Sequence, residues 1–358
     1  MLNVTKTYLP DKKKFLKYVD KIWQSHILTN NGPFLNLLED KLKAYSGCSH
    51  VLACANGTIV LQMALKALNI TKEVITTPFS YVATTNAILW EHCTPVFVDI
   101  DPSDFTIDVN KIEQAITKDT QAILATHVYG HPCHVEQIAK IAARHKLKVI
   151  YDGAHAFGAT YKGKSLLSFG DITTCSFHAT KLFHCGEGGA LFTNNKKLVQ
   201  SLFVLRSFGH IHDDYYCAGI NAKMPELNAA MGLCMLGDIA KIIKKLKAVS
   251  LLYKKYLGTT PAFYPVVPAS PEQYNYAYYP VIFKDGKTLK KAMKALAEHD
   301  IFPRRYFFPS LNTLPFLKEV NSCPVSENIS GRVLCLPLSY YITEKEIKKV
   351  CSILNQLK

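Results

Sequence analysis

Lys181 and Asp152 are the two residues whose types and surroundings offer the clearest chemistry. Lys181 lies among apolar residues in SFHATKLFHCGEGG (176–189). Burial there favours the neutral amine, which is the form that condenses with an aldehyde. Asp152 closes the apolar run KVIYD (148–152), where a carboxylate needs a cation or a hydrogen-bond donor. A protonated pyridine nitrogen would serve, although a helix-capping or turn role also explains this aspartate taken alone.

A second group of residues is suited to a phosphate. Asn56, Gly57 and Thr58 join a predicted strand to a predicted helix, whose N-terminus presents N–H groups and a partial positive charge. Gly57 allows the backbone to approach an anion closely, and Ser176 offers a hydroxyl five residues before Lys181. A tight strand-to-helix turn explains the Asn-Gly-Thr segment equally well.

These residues must be positioned by the elements around them, and short apolar runs alternate with helical periods from about residue 49. This alternation predicts a mostly parallel sheet covered by helices, in which ligands bind beyond the carboxyl ends of the strands. The predicted strands are 50–55, 73–78, 94–101, 121–127, 148–154, 171–178 and 188–194. The predicted helices begin near Gly57, Ser80, Val109, His134, Lys196 and Lys223, the last running to about residue 247.

The C-terminal part of the chain follows another pattern. Strands are predicted at 276–283 and 332–338 around a helix at 288–299, which is typical of a small α+β domain. The sequence therefore predicts three parts. An N-terminal segment (1–30) packs with the small domain, a large α/β domain spans 31–240, and the small domain spans 241–358.

Composition excludes some classes of protein and leaves others open. Hydrophobic residues make up 48% of the 358 residues, but no apolar run reaches the roughly 18 residues that a membrane span needs. The N-terminus lacks the apolar stretch of a secretory signal, so we expect a cytoplasmic protein without a membrane partner. Eleven scattered cysteines without a C-x-x-C pair are expected to be packing residues rather than disulfides.

The net charge of +14 raises nucleic acid as a partner. The lysines, however, form short clusters, and the sequence contains no helix-turn-helix or zinc-finger spacing. Attraction of a small anionic substrate explains the charge as well, so no nucleic-acid partner is expected. The histidines of HVYGHPCH (127–134) could suggest a metal site, but we interpret them as incidental loop residues and expect no metal.

Six ordered motifs resemble the sugar aminotransferase family known as DegT/DnrJ/EryC1/StrS. The resemblance covers about residues 30–240 and rests on NGT (56–58), TPFSYVATTNAI (77–88), PVFVDID (95–101), YDGAHAFGA (151–159), SFHATKLFHCGEGGALFTN (176–194) and GINAKMPELNAA (219–230). It implies a type I (aspartate) aminotransferase fold with a seven-stranded sheet, pyridoxal 5'-phosphate (PLP) as cofactor, and a homodimer with shared active sites.

The resemblance also implies roles for individual residues. Lys181 matches the lysine that forms a Schiff base with PLP, and Asp152 matches the partner of the pyridinium nitrogen. The other implied cofactor contacts are His155 at the ring hydroxyl, Tyr81 stacked on the ring, Gly57, Thr58 and Ser176 at the phosphate, and Asn221 from the neighbouring subunit. Lys223 departs from the family, where arginine is frequent.

The implied reaction moves an amino group from L-glutamate to a keto sugar carried on a nucleotide. Segments 29–33 and 304–309 resemble the subgroup that converts dTDP-4-keto-6-deoxyglucose to dTDP-4-amino-4,6-dideoxyglucose for surface polysaccharide, with His178, Arg304 and Tyr306 as substrate residues. Amination at C3 of a dTDP-3-keto-6-deoxyhexose is the alternative. Two other classes fit less well: a sugar dehydratase carries histidine in place of Lys181, and a DNA-binding regulator needs an added domain.

Overall fold

The computed structural model describes residues 1–258, 262–265, 273–318 and 321–357. Its helices are α1 (Lys12–Ser25), α2 (Pro33–Ser46), α3 (Gly57–Ala67), α4 (Val82–Trp90), α5 (Val109–Ile112), α6 (Val135–His145), α7 (Lys196–Arg206), α8 (Glu226–Tyr256), α9 (Gly286–Ala297), α10 (Pro324–Ser330) and α11 (Glu344–Asn355). None of the helices in these ranges is both long enough and apolar enough to cross a bilayer.

The strands in the same ranges are β1 (Leu2–Asn3), β2 (His50–Cys54), β3 (Glu73–Thr76), β4 (Thr94–Phe97), β5 (Thr120–Thr126), β6 (Lys148–Asp152), β7 (Thr160–Tyr161), β8 (Lys164–Ser165), β9 (Ile172–Ser176), β10 (Gly189–Thr193), β11 (His210–Ile211), β12 (Asp214–Tyr215), β13 (Phe263–Pro265), β14 (Pro280–Phe283), β15 (Ile301–Phe302) and β16 (Val333–Cys335).

Seven of these strands form the central sheet in the order β2-β10-β9-β6-β5-β3-β4. All neighbours are parallel except β10, which runs antiparallel to both β2 and β9. The strands of the central sheet carry almost continuous buried apolar residues, because helices cover both faces of the sheet. The α/β class and the seven strands predicted from the sequence are confirmed.

Local sequence explains where several helices begin. Asn56 caps α3 by accepting hydrogen bonds from the backbone N–H groups of Thr58 and Ile59, and Asp108 caps α5. The remainder of the predicted helix after Asp108 is a short 3-10 turn at Glu113–Ala115. Each of the seven strands of the central sheet ends one to four residues before its predicted end.

Three predictions about the C-terminal region are wrong in their bounds, and one of them is the strand predicted at 332–338, which spans only Val333–Cys335. Helix α8 continues nine residues beyond 247, because Val249 and Tyr253 extend its buried stripe after Ile242 and Leu246. The strand predicted at 276–283 begins only at Pro280. Tyr276 has a φ of 54°, which no β-strand allows, so the chain turns before β14.

The N-terminal segment contacts the C-terminal part of the chain. Strand β1 pairs in parallel with β15, and α1 packs on α8. A three-stranded antiparallel sheet of β13, β14 and β16 lies in the same C-terminal part, covered by α9 and α11. The boundary proposed between residues 240 and 241 falls inside the continuous helix α8, and the division into 1–30, 31–240 and 241–358 stays a prediction.

Candidate active site

Strand register brings the chemically suited residues to one edge of the sheet. Gly189, the first residue of β10, lies opposite both Cys54 and Ser176, which are the last residues of β2 and β9. Asp152 ends the neighbouring strand β6. The carboxyl ends of three strands therefore meet, and a cavity of about 720 Å³ opens beyond them.

Ten of the eleven residues singled out from the sequence line this cavity: Gly57, Thr58, Tyr81, Asp152, His155, Ser176, His178, Lys181, Arg304 and Tyr306. Asn221 does not line it. Asn221 is exposed and forms a β-bridge with Ser207.

Lys181 lies in the loop between β9 and β10, and its side chain is half-buried. Its Nζ is 3.5 Å from the hydroxyl of Tyr278. Burial lowers the pKa of the Lys181 amine, while the negative charge of Asp152 opposes that shift. The position therefore increases the share of neutral, nucleophilic amine, as the sequence predicted.

The carboxylate of Asp152 is buried and fixed by two hydrogen bonds. Its Oδ2 accepts from the Thr84 hydroxyl at 2.7 Å, and its Oδ1 accepts from the Ala154 backbone N–H at 3.0 Å. Thr84 is itself 2.8 Å from the Ser80 hydroxyl, which lies 3.0 Å from that of Thr126. A carboxylate has about four acceptor positions, so Asp152 can still accept a hydrogen bond from a protonated ring nitrogen.

His155 is buried in a position that keeps its imidazole neutral. Its Nδ1 accepts a hydrogen bond from the Tyr129 backbone N–H at 3.1 Å, which assigns the remaining proton to Nε2. Burial, and then the charge of Lys181, hold the pKa of His155 well below its usual value. The ring lies 4.2 Å from that of Tyr278 and 5.4 Å from that of Phe307, centroid to centroid. His155 is therefore a neutral hydrogen-bond donor at the cavity wall.

The region suited to a phosphate lies between α3 and the end of β9. A methyl group on Gly57 would lie 2.6 Å from Cβ and 2.7 Å from Oγ of Ser176, so only glycine allows this approach. Because Asn56 already accepts from the N–H groups of Thr58 and Ile59, an anion here would meet the Gly57 N–H and the hydroxyls of Thr58 and Ser176.

The outer part of the cavity is aromatic and polar. Tyr81, just before α4, is 59% exposed although it is a large ring, because it faces the cavity. His178 Nδ1 accepts from the Thr180 backbone N–H, which directs Nε2 toward Glu187 at 3.6 Å. Arg304 is exposed at the cavity wall. Burial raises the pKa of the Tyr306 hydroxyl, and the neighbouring positive charge of Arg304 opposes that rise.

This set of groups fits PLP. The cavity offers an amine for the aldehyde at Lys181, a carboxylate for the ring nitrogen at Asp152 and a neutral donor for the ring hydroxyl at His155. Hydroxyls and the Gly57 N–H suit the phosphate. Each of these groups faces the same cavity, and the close approach of Gly57 to Ser176 gives an anion room that a side chain would fill.

The histidine-rich loop after β5 has structural partners. His127 Nδ1 accepts from the Cys133 backbone N–H, His131 Nδ1 lies 3.3 Å from the carbonyl oxygen of Asp104, and His134 Nε2 is 3.3 Å from the Asp104 carboxylate. No group of three or more potential metal ligands occurs within the ranges given above. All eleven cysteines are free thiols, and all but Cys217 are buried.

Three residues of the site escaped the sequence reasoning. Thr84 is bonded to Asp152, Tyr129 orients His155, and Tyr278 faces Lys181. The strand predicted at 276–283 would place Tyr278 in sheet packing, which is wrong for this residue. A strand would have alternated its rings between two faces, whereas the turn at Tyr276 directs Tyr278 into the cavity.

Known proteins resemble this chain over almost its whole length. The model of the DegT/DnrJ/EryC1/StrS aminotransferase family matches residues 10–355. An Escherichia coli protein named dTDP-4-amino-4,6-dideoxy-D-glucose transaminase is 40% identical over 364 residues, covering 98% of this chain and 97% of the relative.

Two solved structures are similar in fold. The structure of DesI in the presence of its TDP-sugar product has a TM-score of 0.94 and 31% identity, covering 99% of this chain and 92% of the other. That of ntda from Bacillus subtilis with bound cofactor PMP has a TM-score of 0.87 and 28% identity, covering 96% and 82%. The predicted aminotransferase fold is thereby confirmed.

Proposed function

Because the chain belongs to the DegT/DnrJ/EryC1/StrS aminotransferase family, we propose that it transfers an amino group from L-glutamate to C4 of dTDP-4-keto-6-deoxyglucose. That the chain is a PLP-dependent sugar aminotransferase follows from the family itself. The choice of sugar is supported by the E. coli relative, whose name states the product dTDP-4-amino-4,6-dideoxy-D-glucose and whose length this chain covers almost entirely.

The inner half of the cavity binds the cofactor in this proposal. When bound, PLP withdraws electrons from the carbon atom next to the amino nitrogen and so makes its proton removable. Asp152, fixed by Thr84 and the Ala154 N–H, would hold a proton on the ring nitrogen. His155 would donate from Nε2 to the ring hydroxyl, Tyr81 would pack on the ring, and Gly57, Thr58 and Ser176 would hold the phosphate.

Lys181 has two tasks, and both need a neutral amine. Its Nζ would hold the cofactor through its aldehyde between reactions and, once the amino donor has displaced it, would take the proton from the donor's α-carbon. The same amine would return that proton as the donor leaves as a keto acid, and would move a proton in the opposite direction while the keto carbon of the sugar takes the amino group. The half-buried position, which lowers the pKa of this amine, supports the role.

The outer half of the cavity takes the nucleotide sugar in this proposal. Arg304 offers a positive charge to the diphosphate, and Tyr306 offers a hydroxyl beside it. His178, oriented by the Thr180 N–H and facing Glu187, offers a donor to a sugar hydroxyl. The exposure of Arg304 suits a group that meets an anion arriving from solvent.

We further propose a homodimer in which each subunit completes the other's site. Asn221 does not line the cavity of its own chain, and exposed apolar side chains that a partner would cover lie in the neighbouring segments: Phe208, Tyr215, Tyr216 and Ile220. In this arrangement Asn221 reaches the phosphate held by the neighbouring subunit. The product would supply amino sugar for surface polysaccharide, and the enzyme would work in the cytoplasm, where nucleotide sugars and glutamate are available.

The proposal is tested by incubating the purified protein with PLP, L-glutamate and a panel of keto-sugar nucleotides that includes 3-keto and 4-keto 6-deoxyhexoses. We expect NMR of the product to place the new amino group on C4 of the dTDP-linked glucose derivative. Amination at C3, or turnover confined to sugars on another nucleotide, would contradict the choice of substrate and leave the reaction class intact.

A further inference from the structure

The hydroxyl of Tyr278 lies within hydrogen-bond distance of the Lys181 amine. Oxygen and Nζ are 3.5 Å apart, and both side chains line the cavity. Tyr278 comes from the segment just before β14, so it reaches the cavity from the C-terminal part of the chain, opposite the loop that carries Lys181. Such bonds are often long before a ligand binds and shorten in the complex.

The segment that carries Tyr278 is held firmly against the cavity wall. Asn275 donates from Nδ2 to the carbonyl oxygens of His155 and Phe157, at 2.7 and 3.0 Å, and accepts from the Ala277 N–H. The ring of Tyr278 packs on His155 and meets Tyr306 edge-on at 5.8 Å. The hydroxyl therefore has a fixed position, which a positioning role requires.

Tyr278 remains a neutral phenol throughout the useful pH range. Burial holds the pKa of its hydroxyl well above the ordinary value, and nearby Tyr306 and Cys335 add to the effect. A neutral phenol can accept a hydrogen bond from an ammonium group and donate one to a free amine. It can therefore keep contact with Lys181 while that amine gains and loses a proton.

We propose that Tyr278 is a positioning residue that holds the Lys181 amine at the point from which it moves protons. The proposal rests on the function proposed above for Lys181. Three other titratable groups face this amine: the Asp152 carboxylate favours its charged form, whereas burial keeps the Cys175 thiol and the His155 imidazole neutral. Because bonds from a charged donor are the stronger ones, Tyr278 also favours the ammonium form.

The test compares Tyr278→Phe with Tyr279→Phe. Phenylalanine at 278 keeps the ring against His155 and removes only the hydroxyl, so the fold should be retained and circular dichroism should match the parent. Tyr279 is a matched control, because its ring packs on Tyr253 and it does not line the cavity. Each full-length protein is freed of PLP and labelled with acetic anhydride over a pH series, and mass spectrometry follows the peptide that contains Lys181.

We expect Tyr278→Phe to move the midpoint of Lys181 labelling to lower pH, because the ammonium loses its acceptor, while Tyr279→Phe leaves it in place. In the PLP-loaded enzyme, Tyr278→Phe should lower kcat about tenfold, the order of one charge-assisted hydrogen bond, with KM for glutamate unchanged. Unchanged labelling and unchanged kcat would overturn the proposal. A shifted midpoint in a protein that aminates no sugar would instead count against the proposed function alone.

Discussion

The carboxylate of Asp152 accepts a hydrogen bond from one buried hydroxyl in addition to a backbone N–H. Thr84 donates to its Oδ2 from helix α4, and this bond is buried together with the hydroxyls of Ser80 and Thr126. Helix α4 thereby orients the carboxylate toward the cavity. Thr85 is also buried, yet its hydroxyl has no partner among the residues that the structure describes. Thr84 and Thr85 are therefore adjacent buried threonines of which only Thr84 donates a hydrogen bond to Asp152.

We predict that Thr84→Val lowers the turnover number about tenfold and the free energy of unfolding by about 1–2 kcal/mol, because a charged buried acceptor loses its donor. Steady-state kinetics and urea unfolding measure the two effects. The control, Thr85→Val, removes a hydroxyl that bonds to nothing in the described part of the chain and should change neither quantity appreciably. Equal behaviour of the two variants would exclude an orienting role for Thr84.

At this scale the sequence indicated which residues react but not which residues hold them. Lys181 and Asp152 were recognisable because an amine and a carboxylate stand in apolar surroundings at strand ends. Thr84, Tyr129 and Tyr278 carry no such sign, because their contacts join segments from 26 to 97 positions apart. Such pairings depend on how the helices and loops pack, which short-range patterns do not determine.

Among the elements, helix α3 and strand β9 approach each other more closely than any side chain on Gly57 would permit. The same edge requires Gly189, because a methyl group there would lie 2.5 Å from the carbonyl oxygen of Asn56. Two glycines therefore set the distance between the N-terminus of α3 and the Ser176 hydroxyl. Affinity for a phosphate at this edge should depend on that distance.

We predict that Gly57→Ala weakens PLP binding by at least about tenfold, since α3 must move away from Ser176 and a shift of this kind removes one or more phosphate contacts. Fluorescence titration of the PLP-free protein measures the affinity. Gly258→Ala is the matched control, because its added methyl group would meet nothing closer than 3.5 Å. Wild-type affinity in Gly57→Ala would show that the phosphate binds elsewhere.

A buried ion pair connects three other elements. Arg206, at the end of α7, is 2% exposed and bonds to the Glu39 carboxylate of α2 and to the carbonyl oxygen of Ala53 in β2. Its other terminal nitrogen donates to the Asn31 side chain at 2.8 Å. Glu39 also accepts from the Ala53 N–H, so the pair fixes α2 against the sheet.

We predict that Glu39→Gln lowers the free energy of unfolding by about 3 kcal/mol, because it leaves the Arg206 charge buried without its counter-charge. Urea unfolding measures the loss. The exposed pair of Lys43 and Asp40, on the same helix, provides the comparison, and Asp40→Asn should have little effect. A small effect of Glu39→Gln would mean that water or another acceptor replaces the carboxylate.

The elements themselves were largely predictable, since each strand of the central sheet and most helices were anticipated. Two of the exceptions share a cause. Helix α8 runs past its predicted end because a buried stripe continues beneath exposed lysines, and the segment before β14 turns because Asn275 bonds to the backbone of another loop. Both depend on partners distant in the sequence.

For the whole molecule, burial of neutral histidines couples stability to pH. Burial lowers the pKa of His131, His155 and His184, and that of His127 to about 3. The unfolded chain binds these protons near pH 6.5, whereas the folded chain binds them only at lower pH. Protons therefore favour the unfolded chain below about pH 6.5, and the stability present above that value is lost as the pH falls.

We predict that the free energy of unfolding of the PLP-free protein falls between about pH 6.5 and pH 5, by up to about 1.4 kcal/mol per pH unit for each such histidine. Urea unfolding over a pH series measures the slope. His127→Phe keeps a ring on Tyr151 but cannot take up a proton, so its slope should be shallower. A pH-independent free energy in this range would show that these imidazoles are protonated in the folded state.

Lys181 is the residue proposed to hold the cofactor, and one measurement tests this role directly. The PLP-loaded enzyme is reduced with borohydride, digested, and searched by mass spectrometry for the peptide that carries the phosphopyridoxyl group. We predict that the group is attached to Lys181 and that Lys181→Ala carries none. Attachment to another lysine, or unchanged attachment in Lys181→Ala, would contradict the account.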